Sequence, residues 1–180
     1  MKKIMTTLAA AAVLSGSAIA QTFTLKSSEL GGQLTNKQYA NGMGFSGENQ
    51  SPQLSWDNAP KETQSFAITI YDLDAPTGSG FWHWVVFNIP ANVHELRSGA
   101  GDLTKHLMPE GAIQSNTDMG KPGYVGAAPN DGPAHRYVIT VYALGKKLEL
   151  DKNATPAYVG VNMYFATLAK ASLLVYGQKH

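Results

Sequence analysis

Residues 136–144 carry the feature that most restricts the fold. Their sequence, Arg-Tyr-Val-Ile-Thr-Val-Tyr-Ala-Leu, is rich in β-branched and aromatic residues and is largely apolar at both alternating sets of positions. A strand with one face in water alternates apolar and polar side chains, whereas a strand covered on both faces is apolar throughout. The segment therefore predicts a central strand of a sheet that is covered on two sides.

Two further runs predict partners for this strand. Residues 66–71 alternate large apolar side chains with smaller or amphipathic ones, and residues 81–89 are aromatic and β-branched. The second run ends at Pro90, which has no backbone N–H to donate to a ladder. The intervening residues 73–80 are rich in turn-forming types, so we expect the two strands to pair antiparallel. Residues 22–25 and 53–56 are weaker strand candidates.

One helix is expected near the end of the chain. Thr155 is a suitable N-cap and Pro156 suits the first helical position. We expect the helix to reach about Lys170 and a short strand to follow at 173–175; alternatively, the helix continues to Gly177 as its C-cap. Residues 91–135 are rich in Gly, Pro and Asn and are expected to be largely loop, and loops of this length are more often functional than idle. The expected class is mainly β with peripheral helix.

Composition excludes several classes of function. The 180 residues include 14 Lys and Arg against 13 Asp and Glu, so the chain lacks the basic excess that nucleic-acid binding needs. It has no cysteine, which excludes a disulfide scaffold, a thiolate metal site and a cysteine nucleophile. No apolar run reaches the roughly 18 residues of a membrane span. We expect one globular domain.

The first twenty residues have the pattern of a signal peptide. Lys2 and Lys3 precede the apolar run 8–14, and Ala18 and Ala20 are the small residues of a cleavage site. A buried N-terminal helix is the alternative. We predict a signal peptide at 1–20, a single mature domain at 21–180, and a periplasmic or secreted location.

Chemistry-bearing residues cluster at the predicted strand ends. Asp72 follows the strand 66–71, His83 lies near the start of 81–89, and His135 directly precedes 136–144. Antiparallel pairing brings all three to one edge of the sheet. Carboxylates there can fix imidazole tautomers and favour protonation, and the Gly-rich loop 123–126 can add N–H donors for an oxyanion.

A plainer interpretation of the same residues stays open at this point. His83 lies between Trp82 and Trp84 and could be a satisfied core histidine. Asp72 and Asp74 could be turn residues, because Asp commonly accepts hydrogen bonds from the backbone of a turn. Spacing alone does not separate this interpretation from an anion site.

Three ordered motifs add a resemblance to a known family. Residues 47–56, G-E-N-Q-S-P-Q-L-S-W, resemble G-x-N-x-S-P-x-L-x-W, and residues 72–84 look like D-P-D-A-P-T-G-S-G-W-W-H-W. Residues 132–137, G-P-A-H-R-Y, match G-x-x-H-R-Y. Together they are similar to the phosphatidylethanolamine-binding protein family, bacterial branch, over nearly all of residues 22–178. The family includes the Raf kinase inhibitor proteins of animals.

The resemblance implies a β-sandwich with a few peripheral helices and a small pocket for phosphate, acetate or phosphorylated headgroups. It also implies a cis peptide bond between Ala75 and Pro76. Carried over by motif, the ligand-binding residues are Asp72, Asp74, Pro76, His83, Gly126, His135 and Tyr137.

The chain departs from the family pattern at several places near this pocket. Leu73 replaces the first proline of D-P-D-A-P, and Phe81 replaces a tryptophan. In the loop that the family writes G-P-x-P-P, Ala127 follows Gly126 where a proline is usual. The ionisable residues are all present, so we expect the pocket to persist with an altered rim and hence an altered choice of ligand.

These observations favour non-enzymatic binding of a small anionic or phosphorylated ligand, without a cofactor. The main alternative is a protein-interaction module that inhibits a protease or kinase, with Phe45, Phe81, Trp82 and Tyr124 as an aromatic rim. A homodimer is also possible.

Two catalytic or metal-dependent alternatives have less support. Asp72, Asp74, His83 and His135 are acceptable metal ligands, but no usual local ligand spacing such as H-E-x-x-H is present. Residues 44–48, G-F-S-G-E, break the G-x-S-x-G pattern of serine hydrolases at its last position.

The signal peptide gives the first prediction. The mature chain is expected to begin at Gln21, because Ala18 and Ala20 are the small side chains that a signal peptidase selects. N-terminal sequencing of exported protein checks this, and material that begins at Met1 would contradict it.

Overall fold

The computed structural model describes residues 22–179, in which ten strands and one helix are formed. In chain order these are β1 (Thr24–Lys26), β2 (Asn41–Gly42), β3 (Phe45–Ser46), β4 (Leu54–Asp57), β5 (Ser65–Asp72), β6 (Phe81–Pro90), β7 (Glu95–Leu96), β8 (Ile113–Gln114), β9 (His135–Leu144), α1 (Pro156–Ala166) and β10 (Thr167–Gly177).

The strands form one large sheet, one small sheet and a hairpin. The large sheet has the order β10-β9-β5-β6-β8, the small sheet has the order β1-β4-β7, and β2 pairs with β3. Every pairing is antiparallel. The three strands predicted most clearly from the sequence are confirmed as β5, β6 and β9, and both weaker candidates are confirmed as β1 and β4.

The main core lies between the two sheets. Leu54 and Trp56 of β4 meet Phe66 and Ile68 of β5 there, and all four side chains are fully buried. A second apolar cluster lies on the opposite face of the large sheet, where α1 packs over β5, β6 and β9. The large sheet is thus covered on both faces, which explains why so few polar residues occur in its inner strands.

The helix begins as predicted and ends earlier. Thr155 is the N-cap and its Oγ1 accepts a hydrogen bond from the backbone of Tyr158. The helix ends at Ala166, because Thr167 takes an extended conformation and starts the eleven residues of β10 along β9. Both sequence expectations, a helix to Lys170 and a helix to Gly177, are wrong: pairing with β9 outweighs the local preference. Within residues 22–179 there is one helix where a few had been expected.

A β-bulge interrupts the pairing of β5 with β6 next to His83. Ile70 lies opposite Trp84, but Tyr71 lies opposite Trp82, so His83 is an extra residue in β6. Bulges change the phase of side-chain alternation. Accordingly Trp84 belongs to the core between the sheets, whereas Trp82 packs against the cluster on the helix side.

The predicted signal peptide, residues 1–20, lies outside the described residues. Within residues 22–179, no helix has the length and apolar character that crossing a bilayer takes.

Two glycine substitutions test the packing. A Cβ at Gly101 would overlap the Cβ of Tyr124 in the buried loop layer, so Gly101→Ala is expected to lower the free energy of unfolding by about 1–3 kcal/mol. A Cβ at Gly160 in α1 meets nothing within 4 Å, so Gly160→Ala is expected to raise it by about 0.5–1 kcal/mol. Urea unfolding of both variants measures the difference, and equal effects would contradict the packing described.

Candidate functional site

The registers of β5 and β9 bring Asp72 and His135 together. Asp72 lies opposite Tyr137, so His135 is the diagonal neighbour of Asp72 on the same face of the sheet. His135 Nδ1 donates to Asp72 Oδ2 over 2.8 Å, and both side chains are buried. The other carboxylate oxygen of Asp72 accepts the backbone N–H of Asp74 over 2.9 Å. The predicted meeting of Asp72 with His135 at one sheet edge is confirmed.

His83 reaches the same place through the bulge in β6. Its Nδ1 donates to the backbone carbonyl of Val125 over 2.8 Å, which leaves Nε2 as the ring nitrogen available to a ligand. Burial lowers the pKa of His83, and the charges of Asp72 and Asp118 oppose that effect only in part. The free protein therefore holds this imidazole neutral more readily than an exposed histidine.

Tyr137 lies beneath the two imidazoles. Its ring centre is 5.4 Å from that of His83 and 6.4 Å from that of His135. The side chain is buried, and its Oη has no hydrogen-bond partner among the described residues. Burial, together with the charge of Asp72, raises the pKa of Tyr137 well above the usual range, so the hydroxyl keeps its proton.

Asp74 does not take the place that the motif assigned to it. Its Oδ1 accepts from Arg136 Nη2 over 2.7 Å, and its Oδ2 accepts from the side chain and the backbone of Arg136. Arg136 lowers the pKa of Asp74 to about 2 through these hydrogen bonds. Side chains alternate along β9, so Arg136 points to the face opposite His135. Asp74, which is bonded to Arg136, therefore faces outward. It fixes the turn after β5 instead of lining the pocket.

The turn 73–80 carries Pro76 at the cavity wall without the cis bond that the resemblance implied. Among residues 22–179 every peptide bond is trans, including that between Ala75 and Pro76. Gly78 and Gly80 have φ values of 81° and 69°, which only glycine adopts without strain. These two residues reverse the chain, and Thr77 Oγ1 closes the turn by donating to the carbonyl of Gly80.

Gly126 lines the cavity, but its backbone N–H is not free for an anion. That N–H donates to Asn49 Oδ1 over 2.7 Å. A Cβ at Gly126 would lie 2.5 Å from the backbone nitrogen of Ala40, so close packing requires glycine here. Ala127, which stands where the family has proline, donates its N–H to Gln38 over 3.0 Å. A proline could not make this bond.

The cavity bounded by these residues has a volume of about 190 Å³. Asp72, Pro76, His83, Gly126 and His135 line it as predicted, whereas Asp74 and Tyr137 do not. Val125 also lines it and belongs to the Gly-rich loop 123–126 expected there, but its N–H donates to the carbonyl of His83 and is not free for an anion. Sequence reasoning missed other lining residues, among them Met43, Met119 and Asn130. Met43 had a local signal, since it lies between two glycines in the β2–β3 turn. A larger cleft of about 820 Å³ lies elsewhere, around Leu107 and Glu110.

The aromatic rim expected for a protein-docking site does not form. Phe81 lines the cavity, but Phe45 stacks on Tyr39 beside a different cavity. Tyr124 is buried and donates to the carbonyl of Gln38. Trp82 packs on Tyr71 on the other face of the sheet, with ring centres 4.3 Å apart.

The alternative metal site also lacks support in the described part of the chain. In residues 22–179, no group of three or more His, Asp or Glu side chains is arranged to hold a metal ion.

Sequence comparison finds one family model and several bacterial relatives that match this chain over most of its length. The family described as "Phosphatidylethanolamine-binding protein" has a sequence model that matches residues 24–177. The protein YbhB of Escherichia coli is 49% identical over 144 residues, which are 79% of this chain and 90% of YbhB. YbcL of the same organism is 42% identical over 166 residues, covering 90% of this chain and 91% of YbcL.

Solved structures give the same result. The crystal structure of YbcL, described as a new member of the mammalian PEBP family, superposes with a TM-score of 0.85 at 40% identity and covers 89% of this chain and 100% of that one. A PEBP homologue from Chlamydia trachomatis superposes with a TM-score of 0.75 at 26% identity, over 88% of this chain and 99% of that one.

The pairing of Asp74 with Arg136 gives a pH-dependent prediction. Because the folded-state pKa of Asp74 is about 2 against an ordinary 3.8, the pair stabilises the fold above about pH 4 and loses this effect as the pH falls toward about 2. Asp74→Asn is expected to be less stable than wild type near neutral pH, with the gap closing in acid. Urea unfolding across this range measures it. Glu62→Gln, which removes an exposed acid, is the control; a gap that stays constant into acid would contradict the assignment.

Proposed function

Because the chain belongs to the phosphatidylethanolamine-binding protein family, we propose that it binds a small anion or a phosphorylated ligand in the cavity between β5, β6 and β9. Binding occurs without chemical turnover and without a cofactor. The observation that carries the proposal is His83: a buried imidazole whose Nδ1 is held by a backbone carbonyl and whose Nε2 is left to a small cavity.

The charge balance around His83 suits an anion. Asp72 is the carboxylate nearest to the cavity floor, and both of its oxygens already accept hydrogen bonds, from His135 and from the backbone of Asp74. A carboxylate that is paired and hydrogen-bonded repels an incoming anion less than a free one. Tyr137 does not line the cavity, but its ring packs beside both imidazoles and helps to hold them in place.

Anion binding is coupled to a proton at His83. A neutral ring that donates through Nδ1 has a lone pair at Nε2, and an anion can only accept hydrogen bonds. The ring must therefore take up a proton as the anion binds, which gives a charge-assisted hydrogen bond in a buried place. A ligand that carries its own acidic proton can instead donate to Nε2. Both routes favour acidic solution.

The shape of the cavity restricts the ligand. A volume of about 190 Å³ suits a phosphate or a small phosphomonoester headgroup. The walls outside the polar floor are apolar and include Met43, Phe81 and Met119. The family departures at Phe81 and Ala127 thus affect the wall and the loop behind it, and the polar floor is unchanged.

We further propose that the protein acts in the periplasm or outside the cell. The support is the signal-peptide pattern of residues 1–20. A ligand met there would be a free anion or the phosphorylated headgroup of a lipid, and these two share the same phosphate chemistry.

The ligand prediction is tested with inorganic phosphate and His83→Ala. Wild type is expected to bind phosphate, and His83→Ala to bind it at least about tenfold more weakly, because a charge-assisted hydrogen bond of about 1.5–3 kcal/mol is lost. Calorimetry measures affinity, and ³¹P NMR after long incubation with phosphoethanolamine checks that the ester stays intact. His106→Asn is the control, since His106 lies in the other cleft and its φ of 50° is tolerated by Asn.

The proton linkage is tested with sulfate, which remains a dianion throughout the range from pH 5 to 8, so that any change in affinity comes from the protein. Because burial lowers the pKa of His83, sulfate affinity is expected to rise as the pH falls, with its midpoint below the ordinary histidine value of 6.5. Affinity falls again in strong acid once the supporting carboxylates are protonated. A sulfate affinity that does not change between pH 5 and 8 would contradict proton uptake by His83 on binding.

A further inference from the structure

The side chain of Asn130 covers the cavity side of His135. Asn130 Oδ1 lies 2.8 Å from His135 Nε2, while Nδ1 of the same ring is held by Asp72. Both nitrogens of His135 therefore already have partners within the chain. Asn130 also lines the cavity. An incoming anion can reach Nε2 of His83 directly, but the amide of Asn130 lies between the anion and Nε2 of His135.

We propose that Asn130 is an internal competitor for the ligand: its amide occupies the position that an anion oxygen takes at His135 Nε2, and binding displaces it. This inference rests on the proposed function, because it concerns the regulation of the same site. It assigns the chain a closed state, in which Asn130 satisfies His135, and an open state, in which the ligand does.

An amide is well suited to this exchange. Asn can turn either its oxygen or its NH₂ toward a ring nitrogen, so it satisfies Nε2 whether or not that nitrogen carries a proton. Without a partner the buried nitrogen would be costly, because a buried polar atom that lacks a hydrogen bond loses its water without compensation. An anion only accepts hydrogen bonds, so it can replace the amide only when Nε2 of His135 carries a proton. The amide of Asn130 therefore competes most strongly against weakly bound ligands and when Nε2 carries no proton.

Residues that follow β10 hold the backbone of the loop that carries Asn130. Gln178 Nε2 donates to the carbonyl of Gly132 over 3.0 Å, and Lys179 forms an ion pair with Asp131 at 3.0 Å. Pro129 restricts the chain just before Asn130. Asn130 is exposed, so its side chain can rotate and free Nε2 of His135 while the loop stays in place. Rotation breaks the hydrogen bond of 3.3 Å that Asn130 Nδ2 donates to the carbonyl of Asp131.

The competitor is a property of this chain's own loop sequence. Counted from Gly126, the family pattern G-P-x-P-P has proline at its fifth position, and here that position is Asn130. Proline has no side-chain polar atom to offer to Nε2.

The test is phosphate titration of three variants at one pH. Asn130→Ala and Asn130→Pro remove the amide and are expected to bind phosphate about three- to tenfold more tightly, which corresponds to losing one competing hydrogen bond. Asn130→Asp places a permanent anion against His135 and is expected to bind at least about tenfold more weakly. Asn92→Ala and Asn92→Asp, at an exposed turn, control for the loss of an amide and for the added charge.

A second measurement does not depend on the variants. In the wild-type protein, phosphate is expected to shift the side-chain amide signals of Asn130 in ¹⁵N spectra. Unmoved signals on binding, or an Asn130→Ala variant that binds phosphate no better than wild type, would overturn the proposal while leaving anion binding intact. If neither wild type nor Asn130→Ala binds phosphate at all, the proposed function itself fails.

Discussion

The buried contact between Asp72 and His135 is the interaction on which the site depends. It joins the end of β5 to the start of β9, and the register that allows it is fixed by eight consecutive residue pairs between these strands. Asp72 also accepts the backbone N–H of Asp74 in the following turn. One carboxylate thus orients the imidazole of His135 and helps to shape the turn that carries Pro76, while His83 is held separately by the carbonyl of Val125.

His83 reaches this floor because β6 contains one residue more than β5 requires. Without the bulge, strict alternation would place Trp82 and Trp84 on one face and His83 on the other. The extra residue lets Trp84 fill the core between the sheets while His83 stays beside Tyr137. The bulge also places Trp82 on the face of the sheet that α1 covers, where its ring packs against Tyr71. A local irregularity in one strand therefore decides which residues the cavity can use.

Much of this arrangement is predictable from the sequence, and the exceptions have identifiable causes. The apolar runs predict β5, β6 and β9, and the turn residues between 73 and 80 predict the antiparallel pairing of β5 with β6 that brings His83 to the same edge as Asp72. The bulge is invisible in the pattern, because Trp, His and Trp fit either face. The end of α1 is missed because Thr167 is drawn into β10 by its pairing with β9, a contact that local propensity does not contain.

The pocket residues divide in the same way. His135 and Pro76 line the cavity as the motif implies, whereas Tyr137, on the same strand as His135, does not. Asp74 does not line it either, because Arg136 holds both of its oxygens from the neighbouring strand, and a motif does not show which acid a nearby guanidinium selects. Met119 and Asn130 come from loops whose path only the folded chain defines.

The last strand places the end of the chain directly behind the site. Gly177 lies opposite His135 in the sheet, and Tyr39 Oη is hydrogen-bonded to both the N–H and the carbonyl of Gln178. A reporter group attached at Gln178 would break these hydrogen bonds to Tyr39 and disturb the end of β10 that pairs with His135, so a label placed there would alter the site it was meant to observe.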